Sequence, residues 1–171
     1  MKINIKYNEK PDEFTCDLNL TMRLERYVEN HFYPAISISQ ITPIYLVGGS
    51  IRDLIMARTP NDLDFVVLGL EYQDWILSVL KKFNINYELN RFGGFKFTYN
   101  GTKIDLWTAE DLFSSMQYNV DGLYYDIKGG HLLSLTFSDF MESGLRLINP
   151  ENNIENGRER KLIKFQEEYF K

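Results

Sequence analysis

Residues 47–67 read VGGSIRDLIMARTPNDLDFVV, and two features of this stretch bear on the architecture and chemistry of the chain. A glycine pair, Gly48 and Gly49, follows a short apolar run, and two aspartates spaced by one residue, Asp62 and Asp64, begin a second. Each feature has an ordinary explanation: a tight turn that needs positive φ for the glycines, and a solvated strand entrance for the carboxylates. The alternatives are a phosphate site and a metal site.

Composition indicates one soluble domain. The chain has 171 residues, of which 44% are hydrophobic and 15% aromatic, enough for a real core. A net charge of −5 lacks the basic surplus of most nucleic-acid binders, so any phosphate-backbone contact must come from a local patch. The single cysteine, Cys16, excludes an internal disulfide and a cysteine-based zinc site, and we expect it to be a buried apolar residue. With neither a signal-peptide core nor a bilayer-spanning run, we expect a cytoplasmic protein without a membrane partner.

The rest of the chain alternates between strand and helix patterns. We predict strands at 2–7, 44–47 and 63–70 and helices at 21–32, 50–57 and 72–83, with Thr21 as an N-cap and Pro34 as a stop. Asn100-Gly101 predicts a hairpin whose second strand is KIDLW, 103–107. Thr108 and Asp111 have capping-box spacing and predict a short helix at 109–116. Small strands, a one-turn helix at 138–143 and a last helix at 157–170 follow.

The glycine pair lies between a predicted strand and a predicted helix. The first N–H groups of a helix lack internal partners and attract anions, and glycines let a phosphate approach the backbone. The hydroxyl of Ser50 would add a donor. Patterns typical of α/β hydrolases, P-loop proteins and Rossmann proteins (GxSxG, GxxxxGK[ST], GxGxxG) are absent from the sequence.

The aspartates favour a metal site once a third carboxylate is considered. Side chains two apart on a strand share a face, so Asp62 and Asp64 repel each other unless a cation lies between them, and Mg²⁺ prefers such hard oxygen ligands. Asp105 lies between apolar residues on the returning strand of the hairpin. If that strand pairs beside the strand of Asp62, the three carboxylates would hold two Mg²⁺ ions about 3.5–4 Å apart, one activating a hydroxyl and one clamping a triphosphate. Otherwise Asp105 is an outward, solvated charge.

The combined pattern resembles one family. GGSIRDLIMAR (48–58) followed by NDLDFVV (61–67) is similar to the GGxVRDxLLGR…DxD signature of the DNA polymerase β-like nucleotidyltransferase superfamily. The nearest branch is the N-terminal head of class II CCA-adding enzymes and bacterial poly(A) polymerases. Three further stretches extend the resemblance over about residues 41–166: RFGGFKFTYNGTKIDLWT (91–108), YNVDGLYYDI (118–127) and RERKLIKF (158–165).

The resemblance implies an α+β fold of the polymerase β-like palm type, a mixed twisted sheet with helices packed on one face. It implies one head-like domain over 1–171, with an N-terminal extension (1–40), a catalytic core (41–149) and a C-terminal helix like the start of a neck (150–171). Asp62, Asp64 and Asp105 would be the Mg²⁺ ligands and catalytic residues. The residues that would bind substrate are Gly48, Gly49, Ser50, Arg52, Asp53 and Arg58.

The sequence also departs from the family pattern. The family's RRD falls on Ser115-Met116-Gln117, so a phosphate-binding arginine is missing there, and Asp121 and Ala57 stand in place of an Asn and a Gly. The chain stops at Lys171, where the neck that reads the base begins, so we expect CCA addition to need a partner chain or a second copy.

The function expected from these residues is nucleotidyl transfer. A nucleoside monophosphate would pass from an NTP, ATP or CTP, to an acceptor hydroxyl with release of pyrophosphate. An RNA (tRNA) 3′ end is the first candidate acceptor, guided by the basic cluster Arg158, Arg160, Lys161 and Lys164 of the last helix. The alternatives are a small molecule, a protein hydroxyl, or a non-catalytic nucleotide-binding relative.

Overall fold

The fold is described from a computed structural model that covers residues 12–13, 18–90, 93–113, 116–149 and 158–171. Cys16, the strand expected at 2–7 and part of the helix expected at 109–116 lie outside the described residues. The strands are β1 (Asp12–Glu13), β2 (Ile44–Val47), β3 (Asp62–Leu68), β4 (Tyr87–Leu89), β5 (Phe95–Tyr99), β6 (Thr102–Ala109), β7 (Leu123–Asp126) and β8 (His131–Ser134). The α-helices are α1 (Leu18–His31), α2 (Pro34–Ser39), α3 (Gly49–Ile55), α4 (Gln73–Lys82), α5 (Phe137–Ser143) and α6 (Arg158–Tyr169), with 3₁₀ turns at Leu70–Tyr72 and Asn119–Gly122.

One mixed sheet contains all eight described strands, in the order β1-β8-β7-β2-β3-β6-β5-β4. Strand β3 pairs with β2 in antiparallel and with β6 in parallel orientation. A parallel neighbour needs a crossover connection, which α4 provides between β3 and the β5–β6 hairpin. Because β3 and β6 run in the same direction, their N-terminal residues lie at the same end of the two strands.

Successive side chains of β3 point alternately to the two faces of the sheet. Leu63, Phe65 and Val67 lie in the main core, whereas Val66 belongs to a smaller apolar cluster on the other face. Helical residues join the main core, among them Leu24, Phe32, Ile38, Ile51, Leu80, Phe140 and Phe165. The helices therefore cover one face, as the α+β prediction states, and Asp62 and Asp64 point to the opposite face with Val66. None of the helices in the described part of the chain is long and apolar enough to cross a membrane.

The hairpin prediction is confirmed. Asn100 and Gly101 join β5 to β6 with φ angles of 47° and 82°, the paired positive φ of a type I′ turn. Register then fixes Lys96 opposite Asp105 and Phe97 opposite Ile104. The hairpin thereby places β6, with Asp105, directly beside β3.

Two local predictions are wrong. Thr108 and Ala109 do not begin a helix, because they continue β6 and pair in register with Val67 and Leu68. Ladder hydrogen bonds along a buried parallel strand outweigh the local preference for a cap. The first helix begins at Leu18, so Thr21 lies inside α1 and is not its N-cap.

Candidate active site

Three carboxylates converge on the face of the sheet opposite the main core. Asp64 lies in register with Asp105 across the parallel β3–β6 pair, and Asp62 lies two residues earlier on β3. Oxygen atoms of the three side chains all lie within 4.8 Å of one another. Asp62 is exposed, and Asp64 and Asp105 are partly buried. The sequence condition for a shared site, that the hairpin strand pairs beside β3, is met.

Burial and mutual repulsion make this cluster costly to ionise. The pKa of Asp64 is raised to about 7, first by burial and then by the neighbouring charges of Asp62 and Asp105, while Arg52 and Arg158 oppose the rise. Burial also raises the pKa of Asp105, against the opposing charge of Lys96. Three hard oxygen donors this close together, two of them partly buried, fit a divalent cation such as Mg²⁺.

The glycine turn lies against this cluster. Gly48 has φ 77° and ψ −145°, a conformation that is essentially confined to glycine, and α3 begins at the next residue. A Cβ atom at Gly48 would lie 3.1 Å from Asp64 Oδ2, so the backbone approaches the carboxylate closely. The Ser50 hydroxyl is buried and donates a hydrogen bond to the Val47 carbonyl at 3.3 Å. Contact of Gly48, Gly49 and Ser50 with phosphate stays a prediction.

Asp121 joins two arginines beside the carboxylates. Its Oδ1 accepts hydrogen bonds from Arg52 at 3.4 Å and from Arg158 at 2.6 Å. Its Oδ2 accepts from the backbone N–H groups of Gln117 at 3.1 Å and Tyr118 at 2.9 Å. Burial lowers the pKa of Arg52, and Asp121 is the strongest opposing charge. Two guanidinium groups are thereby fixed close enough to Asp64 to affect its ionisation.

A small cavity of about 150 Å³ connects these groups. Its polar lining is Gly48, Asp64, Asp121 and Arg158. Its apolar lining is Val47, Val66, Trp107, Leu112, Met116 and Tyr124. The cavity thus brings a cationic group and the glycine turn together with Asp64 among apolar side chains.

Sequence reasoning missed the part played by Arg158 and Asp121. The sequence places Arg158 in the basic cluster expected to guide an RNA strand, whereas in the structure it lies at the start of α6 and binds Asp121, 37 positions earlier in the chain. No local pattern predicts such a contact. The one available signal was the acidic residue at position 121 within the family-like stretch, since a buried carboxylate usually has a cationic partner.

The remaining predicted substrate residues lie on or just after α3. Burial raises the pKa of Asp53, and Arg52 and Arg58 oppose that rise. The backbone N–H of Arg58 donates to the Asp53 carbonyl at 2.7 Å, and its guanidinium pairs with Glu168 of α6. Arg58 therefore ties α3 to α6, and its contact with substrate stays a prediction.

The fold is similar to that of poly A polymerase head domains and CCA-adding enzymes. The mixed sheet carries its helices on one face and its converging carboxylates on the other. Residues 44–113, from β2 through the end of the hairpin, match the family model of the poly A polymerase head domain.

Several solved structures share this fold. A CCA-adding enzyme in complex with CTP is 20% identical, with a TM-score of 0.59 over 91% of this chain and 39% of that chain. A CCA-adding enzyme with ATP is 19% identical, with a TM-score of 0.56 over 95% and 48%. The Thermotoga maritima CCA-adding enzyme complexed with tRNA is 20% identical, with a TM-score of 0.54 over 90% and 43%. No curated protein sequence matches the chain.

These likenesses establish the fold. The chain spans less than half the length of each of these three solved chains. In sequence over residues 44–113 and in fold over most of its length, it resembles the head domain of CCA-adding enzymes and bacterial poly(A) polymerases, as the sequence motifs indicated.

Proposed function

We propose that the protein is a Mg²⁺-dependent nucleotidyltransferase that moves a nucleoside monophosphate from ATP or CTP to an acceptor hydroxyl and releases pyrophosphate. The observation that carries the proposal is the convergence of Asp62, Asp64 and Asp105 within 4.8 Å on one face of the sheet. A partly buried group of three carboxylates is costly without a cation, and the glycine turn and two arginines beside it suit a polyphosphate.

The chain's own residues divide the work. Asp62, Asp64 and Asp105 would hold two Mg²⁺ ions, which when bound neutralise phosphate charge and make the acceptor hydroxyl a better nucleophile. A bound cation would lower the pKa of Asp64, which burial and the neighbouring carboxylates raise to about 7, and so favour the ionised carboxylate. The N–H groups that follow Gly48 would face a bound polyphosphate, and Arg52 and Arg158 would supply positive charge beside it.

The acceptor we propose is an RNA 3′ end, with tRNA as the first candidate. One similar protein has been solved with tRNA and others with CTP or ATP. Exposed basic residues on α6, Arg160, Lys161 and Lys164, offer a local positive surface on an otherwise acidic protein. A small molecule or a protein hydroxyl would be the alternative acceptor.

Labelled NTPs test the proposal directly. The protein is incubated with Mg²⁺ and each α-labelled NTP, together with total RNA, tRNA, a small-molecule extract or a protein extract in separate reactions. We expect label in the RNA pools, dependent on Mg²⁺ and lost in Asp62→Ala/Asp64→Ala. The matched control is Asp74→Ala, which removes an exposed carboxylate from α4. Absence of label from every pool, with wild type and double mutant alike, would overturn the proposal and leave a nucleotide-binding relative.

A further inference from the structure

The carboxylate that binds both arginines of the site lies on a short turn. Asp121 belongs to the 3₁₀ turn Asn119–Gly122, which immediately precedes β7. Its Oδ1 accepts from Arg52 and Arg158, and its Oδ2 accepts from two backbone N–H groups. The direction in which the two guanidinium groups point therefore depends on where this turn is held.

A buried amide fixes the first residue of the turn. Asn119 is fully buried, and its side-chain N–H groups donate to Asp139 Oδ2 at 2.7 Å and to the Gly144 carbonyl at 2.8 Å. Its side-chain oxygen accepts from the backbone N–H of Arg146 at 2.9 Å. Its own backbone N–H donates to the Arg146 carbonyl at 3.0 Å. Asn119 is thus bonded to α5 and to the residues that follow α5.

The charge of the buried Asp139 is paired. Asp139 is 2% exposed, and the guanidinium of Arg146 donates to both of its oxygens, through Nε at 3.0 Å and through a terminal nitrogen. The hydrogen bond to Asp139 raises the pKa of Arg146. A bidentate pair of this kind fixes the orientation of the carboxylate as well as its charge, so the acceptor of the Asn119 amide has one position.

A buried threonine also contacts the turn. Thr136 is fully buried, and its hydroxyl donates to the Asn119 carbonyl at 2.6 Å. Gly122, the last residue of the turn, lies so close that a Cβ atom there would be 1.9 Å from Thr136 Oγ1 and 2.6 Å from its backbone nitrogen. The backbone N–H of Leu135 donates to the Gly122 carbonyl at 2.8 Å. The first and last residues of the turn are both fixed against residues 135–146.

We propose that Asn119, Thr136 and Asp139 are positioning residues for nucleotide binding, which act through Asp121 to direct the two arginines at the phosphates of the NTP. The inference rests on the proposed function, because it takes the polyphosphate to lie beside those arginines. A guanidinium binds phosphate through a planar fork, so its contribution depends on orientation as well as charge. Apolar residues of similar volume would pack this region equally well, whereas directional hydrogen bonds hold the turn in one orientation.

Two buried threonines provide a matched test. Thr136→Val removes the hydroxyl bonded to the turn, and Thr42→Val removes an equally buried hydroxyl that donates to the carbonyl of Leu68, the last residue of β3, at 3.2 Å. ATP and CTP are titrated in Mg²⁺ at a temperature at which each protein is folded. We expect Thr136→Val to bind nucleotide about tenfold more weakly, the effect of losing one well-oriented hydrogen bond to a charged group. Thr42→Val and the conservative variant Thr136→Ser should bind like wild type.

A double-mutant cycle with Asp121→Asn shows whether the network acts through Asp121. If it does, Thr136→Val weakens binding much less in the Asp121→Asn protein than in wild type, so the two losses are not additive. Additive losses would overturn the inference, as would equal nucleotide affinity in Thr136→Val and wild type. Asp139→Asn, which keeps the shape of the side chain and removes its charge, gives the same comparison if Thr136→Val does not fold.

A readout without nucleotide separates the inference from the function on which it rests. In ¹⁵N NMR spectra, the guanidinium N–H signals of Arg52 and Arg158 should be resolved in wild type and Thr42→Val and averaged in Thr136→Val, where the arginines lose their fixed partner. Identical signals in the three proteins would contradict a positioning role. Wild type that binds neither ATP nor CTP in Mg²⁺ would instead overturn the proposed function, whatever the arginine signals show.

Discussion

Arg158 donates a hydrogen bond to Asp121 at 2.6 Å, and this contact fastens the first residue of α6 to the edge of the candidate active site. Arg52 of α3 binds the same carboxylate oxygen. The Asp121 side chain is only 8% exposed, so the pair is shielded from solvent. One carboxylate therefore positions both arginines beside Asp64.

Asp121→Asn should destabilise the protein by about 2 kcal/mol, because it leaves the buried Arg52 without its main counter-charge. An asparagine oxygen can still accept hydrogen bonds from the backbone N–H groups of Gln117 and Tyr118. The loss of stability therefore measures the effect of removing the negative charge. Urea unfolding measures the change. Glu168→Gln, which removes the more exposed ion pair of α6 with Arg58, should cost about 0–1 kcal/mol. Equal effects of the two variants would contradict this role of Asp121.

The stability of the metal-free protein should fall as the pH rises from about 4 to about 7. The pKa of Asp64 in the folded protein, about 7, lies above its ordinary value of 3.8, so folded Asp64 retains a proton that the unfolded chain releases. Its stabilising contribution is complete below pH 3.8 and is lost as the pH passes 7. The loss is at most about 4 kcal/mol. The free energy of unfolding, measured in EDTA at pH 5 and pH 8, should rise for Asp64→Asn relative to wild type at the higher pH. A difference between the two proteins that is the same at both pH values would refute the raised pKa of Asp64.

Mg²⁺ should stabilise the wild type and leave Asp64→Asn almost unchanged. A cation that binds only the native state at 100 times its Kd adds about 2.7 kcal/mol. The same substitution should make the metal-free protein more stable at pH 8, since it removes one of three repelling carboxylates. Thermal unfolding with and without Mg²⁺, at matched ionic strength, separates the two effects. A similar rise in Tm for both proteins would mean that Mg²⁺ binds elsewhere.

Gly48→Ala should lower both stability and Mg²⁺ affinity. A non-glycine residue at φ 77° and ψ −145° costs about 1–3 kcal/mol, and its Cβ would lie 3.1 Å from Asp64 Oδ2. Gly101→Ala is the matched control, because Gly101 also has positive φ (82°) but a Cβ there has no neighbour within 4 Å. Chemical unfolding should show a loss for both variants, and a Mg²⁺ titration should show weaker binding for Gly48→Ala alone.

Ala57→Gly should stabilise the protein. Ala57 follows the end of α3 with φ 55°, a left-handed conformation that costs about 1–2 kcal/mol for a residue with a side chain. The greater freedom of glycine in the unfolded chain offsets about 0.4–1 kcal/mol, so a net gain of about 0.5–1 kcal/mol remains. Urea unfolding should show that gain, whereas Ala109→Gly within β6 should destabilise. A loss at both positions would show that the backbone at Ala57 is unstrained.

The sequence predicted the strands of the site because their patterns are local. Apolar runs marked β2 and β3, and Asn100-Gly101 marked the hairpin that carries Asp105 to them. Asp105 could be assigned to the site only on the condition that its strand pairs with β3, because neither the periodicity of apolar residues nor the turn sequence specifies which strands are neighbours.

The sequence did not reveal contacts between residues far apart in the chain, or places where strand pairing competes with a local helix signal. Arg158 has the appearance of a solvated charge because its partner, Asp121, lies 37 residues away. The capping-box pattern at Thr108 is sound locally, but β3 supplies a complete row of partners that keeps Thr108 in the strand. The family-like stretch around Asp121 indicated that this residue lies near the candidate active site, but it did not indicate that Arg158 binds it.

The parallel pairing of β3 with β6 has a consequence for how the protein comes to hold a cation. Asp62 and Asp64 are separated from Asp105 by about forty residues of chain, and their alignment depends on a crossover that is slow to close. Neither the β5–β6 hairpin nor the segment containing β3 can assemble the three ligands alone. Capture of Mg²⁺ would thus be reserved for chains whose sheet is already complete, and a bound ion would hold together the pairing that is hardest to form.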